Sequence, residues 1–374
     1  QNSTGGYNTA VGDAALENTT GSYNVAVGQA ALAQLTSGSQ NNAIGYEALD
    51  AITTNSQCNA FGTFALTSYT SGSGKCNAFG QQALQDCTTG GSNSAFGHDV
   101  LRECTTGDNN TAMGHAALQN STTADNNTAF GFRALNACST GVQNTAIGVD
   151  ALKLVSTGNN NVGVGFEANE SLTTGSENIG IGGSSLLSLS SGSHNVAIGH
   201  DAGRGCSTGS NNVFLGRDAG RSNSPSGQIT TGSNAIVLGD NNIGDLFCAD
   251  TSISSSDSRD KTDIADFNIG LAWINALRPV TYRWDRRTWY GTEEEPYGTP
   301  DGSKKRIKTH IGFLAQEALE VEKANGYGTS NDDSLVVNLT DDGMSYGMKY
   351  ERLVPILVNA IKELSAEVTA LKAA

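Results

Sequence analysis

Asn24-Val25-Ala26-Val27-Gly28, followed by Ala31-Leu32, is the stretch that decides the fold. Polar and apolar residues alternate across it, as in a short strand, and the glycine marks a turn. Read outward in both directions, the same unit returns, ending at Gly12, Gly45, Gly62, Gly80, Gly97, Gly114, Gly131, Gly148, Gly165, Gly182, Gly199 and Gly216. The step between glycines is 17 residues, with single steps of 16 and 18 near the start and a weaker copy ending at Gly239. Polar runs such as Thr88-Thr89-Gly90 separate the units. A fixed period of this length is the signature of a stacked solenoid. At about 4.8 Å per rung, the shaft is on the order of 60 Å long.

Each column of the repeat predicts a role. The residue before the glycine is apolar in every copy, from Val11, Val27 and Ile44 through Phe61, Phe79, Phe96, Met113 and Phe130 to Leu215, and is expected to form one continuous buried ladder. Two positions earlier Ala prevails, becoming Gly163 and Gly180, which predicts close backbone approach. Leu16, Leu32, Leu49, Leu66, Leu84 and their successors supply a second buried ladder. Asn24, Asn41, Asn93, Asn110 and the equivalents up to Asn212 predict a side-chain amide ladder that satisfies polar groups in a thin core. A feature copied into so many rungs is architectural and not a ligand site. One rung offers too little apolar surface to offset the entropy of ordering it, so neighbours must share the burden. A core this thin further predicts three chains around one axis.

Charge excludes several functions. Residues 1–250 carry 18 acidic and 7 basic side chains and residues 251–374 carry 19 and 15, giving the net charge of −15. Neither part is built to bind nucleic acid. No apolar run approaches the length of a membrane span, so no membrane insertion is expected. Gln1 falls in mid-repeat, and the chain reads as part of a longer protein. Cys58 and Cys76 replace the ladder Asn, Cys87, Cys104, Cys138 and Cys206 sit seven after a repeat glycine, and Cys248 stands apart. Seven cysteines without a CxxC predict buried thiols, with no metal site and no cofactor.

Near Cys248 the repeat stops. A Ser-rich stretch, Thr251 to Ser258, leads into a region with all three Trp and four of the five Pro. The expected organisation is a mainly β chain: a β-helical shaft over 1–250 with about 14 repeats, then an α+β domain over 251–374. Val354, Leu357, Ile361, Leu364, Val368 and Leu371 alternate spacings of three and four, the seam of a coiled-coil helix over 350–372. Such a helix would align three chains and so fix the register of repeats that otherwise resemble one another.

Four segments of this region stand in a telling order. They are Ser256-Asp257-Ser258-Arg259-Asp260-Lys261-Thr262-Asp263-Ile264, Leu277-Arg278-Pro279-Val280-Thr281-Tyr282-Arg283-Trp284, His310-Ile311-Gly312-Phe313-Leu314-Ala315-Gln316-Glu317, and Tyr350-Glu351-Arg352-Leu353-Val354-Pro355. Together they resemble the intramolecular chaperone of endosialidases and phage tail fibres, the S74 peptidase family. Asp260 departs from the family pattern, which has Leu there. The resemblance implies a single self-cleavage between Ser255 and Ser256, with Ser256 as nucleophile and Lys261 as its base; His310 and Glu317 are candidates either for auxiliary groups or for ordinary strand and helix residues of the domain core. A Ser hydroxyl needs an adjacent base to become an effective nucleophile, and a Lys shielded from water can serve. The implied protein is a homotrimeric phage tail fibre or spike in the virion, made in the host cytoplasm, that attaches to a host cell-surface glycan or protein. Stacked Ala-x-Gly repeats also resemble the heads of bacterial trimeric adhesins. A third reading is the fibre part of a glycan-degrading tailspike, although the acids of the shaft are too dispersed to provide paired catalytic carboxylates.

Overall fold

The computed structural model describes residues 5–243, 262–292, 295, 297–330, 333–339 and 346–373. The chain divides into two compact units, Gln1–Asp240 and Asn241–Ala374.

The first unit is a parallel β-solenoid. Fourteen three-residue strands run from β1 (Thr9–Val11) and β2 (Val25–Val27) to β14 (Ile236–Leu238), and each pairs with the next in sequence to make a single ladder. The pairing is in register by column, so Ala43 lies opposite Ala60 and Phe61 opposite Phe79. Hydrogen bonds between rungs continue beyond the strands: Gly45 N–H donates to Val27 O at 2.8 Å, and Leu49 N–H donates to Ala65 O at 3.0 Å. Backbone polar groups are thus satisfied round the turns of the coil as well as in its sheet.

Alternation within the strand decides which column is buried, and it corrects one expectation. In a three-residue strand the middle side chain points opposite to its neighbours. The middle residue is the Ala, and Ala26, Ala43, Ala60 and Ala129 are fully buried. The larger apolar residue before the glycine therefore faces outward: Ile44 is 38 % exposed, Met113 45 % and Ile147 44 %. That column is not the buried ladder its hydrophobicity implied but an apolar strip on the surface.

The Leu column does turn inward. Leu32, Leu84 and Leu135 are buried, and each adopts a left-handed backbone, with φ of 54°, 54° and 51°. Such a conformation costs a non-glycine residue about 1–2 kcal/mol, a strain offset by inward packing and rung-to-rung hydrogen bonds. The Ala and Leu columns share one volume. Where Phe214 replaces the Ala, the Leu positions of its own and the preceding rung are Gly220 and Gly203. A methyl group on either would come within 2.4 or 2.6 Å of the Phe214 ring. Bulk has moved from one column to the other at roughly constant core volume.

The Asn ladder is present as expected. Asn127 Nδ2 donates to Gly141 O at 2.8 Å and to Asn110 Oδ1 at 3.3 Å, while its own Oδ1 accepts the Asn144 N–H at 2.9 Å. At the interruption, Cys76 Sγ reaches the corresponding turn carbonyl, Gly90 O, at 3.3 Å. All six cysteines of this unit are free and buried, matching the expected thiols.

The second unit is α+β. Helix α1 (Leu271–Ala276) precedes β15 (Val280–Tyr282), which pairs antiparallel with β16 (His310–Gly312). Helix α2 (Ala315–Ala324) follows, then the antiparallel pair β17 (Val337–Leu339) and β18 (Tyr346–Met348), and finally α3 (Leu353–Ala373). A small core gathers Trp273, Ala318, Val336, Val337, Leu353 and Ile356. Glu363 of α3 accepts the Leu271 N–H of α1 at 2.7 Å, tying the two helices together, and Asn359 donates to the Phe267 carbonyl in the segment before α1.

Candidate functional site

Ser255, Ser256 and Lys261, the expected cleavage site and its dyad, lie outside the described residues. The auxiliary residues do not. Glu317 stands in the first turn of α2, where both its oxygens are engaged by the Arg278 guanidinium, Nε donating to Oε2 at 3.1 Å and Nη2 to Oε1. This fork holds the Glu317 carboxyl below the usual carboxylate range. Both partners are largely exposed, so the pair orients α2 against the residue preceding Pro279 more than it stabilises the unit.

His310 opens β16 opposite Tyr282 of β15, with the rings stacked at 5.5 Å and the Trp284 ring 6.2 Å away. It lines a cavity of about 560 Å³ together with Trp284, Arg286, Trp289, Arg306 and Lys308. Arg286 lies 4.3 Å over the Trp284 ring and Arg306 5.0 Å from the Trp289 centroid. Burial, reinforced by the nearby Arg306 charge, lowers the Arg286 pKa. His310 and Glu317 thus have separate partners: an aromatic and cationic wall for the first, an ion pair for the second.

Sequence reasoning missed two features of this unit. The cationic wall was foreshadowed by Trp284-Asp285-Arg286-Arg287-Thr288-Trp289-Tyr290, where aromatic and basic residues interleave. The other had no local signal. Glu322 of α2 is fully buried, and its carboxylate accepts three backbone N–H groups, from Leu335 (3.1 Å), Val336 (2.6 Å) and Val337 (2.9 Å). It organises the entry to β17, as a buried carboxylate can when its lone pairs are filled.

The seam of α3 is exposed along its length, with Ile361 at 66 % and Leu371 at 77 %, while Leu353, Ile356 and Ala360 pack inward. Among the described residues no helix is long and apolar enough to cross a membrane.

Residues 256–327 match the family model of peptidase S74, described as chaperone of endosialidase. The match covers about a fifth of the chain and takes in α1, β15, β16 and α2. No curated protein and no solved structure matches the chain. A β-solenoid of 17-residue rungs together with a chaperone segment of this type fits a phage tail fibre or tailspike kind of protein.

Proposed function

We propose that the chain is a phage tail-fibre or tailspike protein for host attachment. It assembles as a homotrimer, and its carboxy-terminal part, from about residue 251, is a chaperone that cleaves itself off between Ser255 and Ser256. The carrying observation is the continuous apolar strip. Every rung from Val11 to Leu238 presents an outward apolar side chain, and α3 presents a second exposed apolar seam. Surfaces of that extent on soluble proteins mark interaction sites, and further copies of the same chain would repeat the strip at the same spacing. Endosialidase-type chaperones imply trimeric fibres, which sets the number at three.

The cleavage chemistry balances without a cofactor. Ser256 Oγ attacks the carbonyl carbon of Ser255 while Lys261, as the neutral amine, takes the hydroxyl proton. The peptide C–N bond breaks, an ester C–O bond forms, and the proton passes to the released Ser256 amine. Water then hydrolyses the ester, leaving a Ser255 carboxylate. Removing the chaperone after assembly removes the route back and makes the fibre kinetically stable.

Intact mass and native oligomer mass of the chain, beside Ser256→Ala and Lys261→Ala, test this reading. Two fragments split at Ser255/Ser256 are expected for the parent, none for either variant, with a trimeric shaft. An uncleaved monomer in all three would overturn both the peptidase and the trimer.

A further inference from the structure

We propose that His98, His115 and Asp99 form a binding site for a first-row divalent cation of the zinc class on the surface of the solenoid. The inference goes beyond the fibre and chaperone reading and does not depend on it.

The repeat itself creates the site. Residues of one column stand one rung apart, about 4.8 Å, so two histidines in the same column of consecutive rungs must face each other. Of the five histidines, His98 and His115 alone meet that condition, each directly following a repeat glycine. Their rings are parallel within 2°, with centroids 5.2 Å apart. Asp99 lies beside them, with Oδ2 2.9 Å from His98 Nδ1. Among the described residues, this is the one group of three such side chains whose ligand atoms all lie within 4.8 Å of one another.

The carboxylate is mostly withdrawn from water, at 13 % exposure, and its Oδ1 is buried without a hydrogen-bond donor. Arg102 does not fill that role. It donates to Glu103 at 2.6 Å and stays 3.9 Å from Asp99 Oδ1. An oxygen with no hydrogen bond and with Arg102 only at the 3.9 Å limit of an ion pair leaves a place for a closer cation, and the two neighbouring donors are imidazoles. Two nitrogens and one oxygen make a borderline set that suits Zn²⁺, Ni²⁺, Cu²⁺ or Co²⁺ better than Mg²⁺ or Ca²⁺. Zinc bonds of about 2.0–2.1 Å require ligand atoms roughly 3.4 Å apart. Binding therefore requires the exposed imidazole rings to turn so that their nitrogens close from within 4.8 Å, with water completing the coordination. The ion would link two rungs at mid-shaft.

Calorimetric titration of the untagged full chain with zinc chloride tests the site. One saturable equivalent per chain is expected. His98→Ala and His115→Ala should each abolish it, while His200→Ala, in the same column without a histidine neighbour, should leave it intact. Asp99→Asn should weaken binding about tenfold. Absence of a saturable step, a step that survives both histidine variants, or an unchanged affinity in Asp99→Asn would overturn the assignment. All four substitutions lie at the solenoid surface or conserve volume, and an unchanged far-ultraviolet circular dichroism spectrum verifies folding in each.

Discussion

The two units of this chain hold themselves together in opposite ways. In the solenoid, one residue's role is repeated at every rung, so stability comes from many identical small contributions between nearest neighbours. In the second unit, single residues such as Trp273 and Glu322 each do something done nowhere else. Repetition makes the first unit readable and tolerant of variation in outward columns, but intolerant wherever two rungs touch backbone to backbone. The second unit has the converse weakness, depending on a few irreplaceable contacts.

The largest expected effect separates the units by one methyl group. Gly131 has φ +140°, and a Cβ there would stand 2.3 Å from Gly148 O in the next rung. Gly131→Ala therefore collides with backbone that cannot yield, and several kcal/mol of destabilisation is expected. Because each rung contacts only its neighbours, the break should divide shaft unfolding into two transitions. Gly326 in the second unit has φ +83° with open space around its missing Cβ, so Gly326→Ala should cost only the roughly 1–2 kcal/mol of a left-handed backbone. Urea unfolding of both variants checks the contrast, and equal losses would break it.

Next in size is Glu322→Ala. It strands three backbone N–H groups, two of them buried, and should destabilise the second unit by roughly 3–5 kcal/mol while leaving shaft unfolding unchanged. Within the shaft, Asn127→Ala removes bonds to two adjoining rungs and should cost about 2–3 kcal/mol. Asn127→Cys should cost about half as much, because Cys76 already shows a thiol reaching the equivalent carbonyl. Thermal unfolding of the three variants ranks them, and Cys no better than Ala would remove the hydrogen-bonding role of the thiol.

The same contrast governs what the sequence made legible. The glycine period, the Asn ladder and the Leu ladder could be read because each occurs many times and chance cannot imitate it. The column of Val27, Ile44 and Phe61 was misplaced because hydrophobicity was weighed without strand parity. With Ala in the middle of a three-residue strand, its larger neighbours must face out. The exchange around Phe214 was not legible, since its partners Gly203 and Gly220 are 11 and 6 residues away in sequence and meet it only through the coil. In the second unit nothing in the sequence marks Glu322 as buried. Its donors lie at least 13 residues on, and no periodicity links them.

A fourth prediction concerns the shaft thiols. Burial pushes Cys76 and Cys138 up to about 12 from an ordinary value near 8.5. The folded state thus keeps these thiols neutral at a pH where the unfolded chain ionises. Their contribution is fully present below about pH 8.5 and is lost as pH rises towards 12. In a Cys248→Ser background, Ellman's reagent at pH 8 should find the six shaft thiols unreactive until denaturant is added. The shaft melting temperature should fall steadily above pH 9. Rapid labelling of several thiols in the folded chain would sink the prediction.

The smallest effect is expected at Glu317, and there the two units can be compared on equal terms. Its pair with Arg278 is exposed and bidentate, whereas Arg133–Asp150 in the shaft, at 2.7 Å, links adjacent rungs with the Asp side chain only 9 % exposed. Exposed pairs contribute little after solvent screening and side-chain entropy, so Glu317→Gln should leave stability nearly unchanged. Asp150→Asn should cost more, because it leaves buried polar atoms without their charged partner. Denaturant midpoints test that order. The Glu317→Gln sample also serves a second assay, the fraction of chain cleaved at Ser255/Ser256. If Glu317 does no more than anchor α2 to Arg278, cleavage should proceed to the parental extent. Loss of cleavage in a chain whose unfolding midpoint is unchanged would instead place Glu317 beside Ser256 and Lys261 in the self-cleaving site.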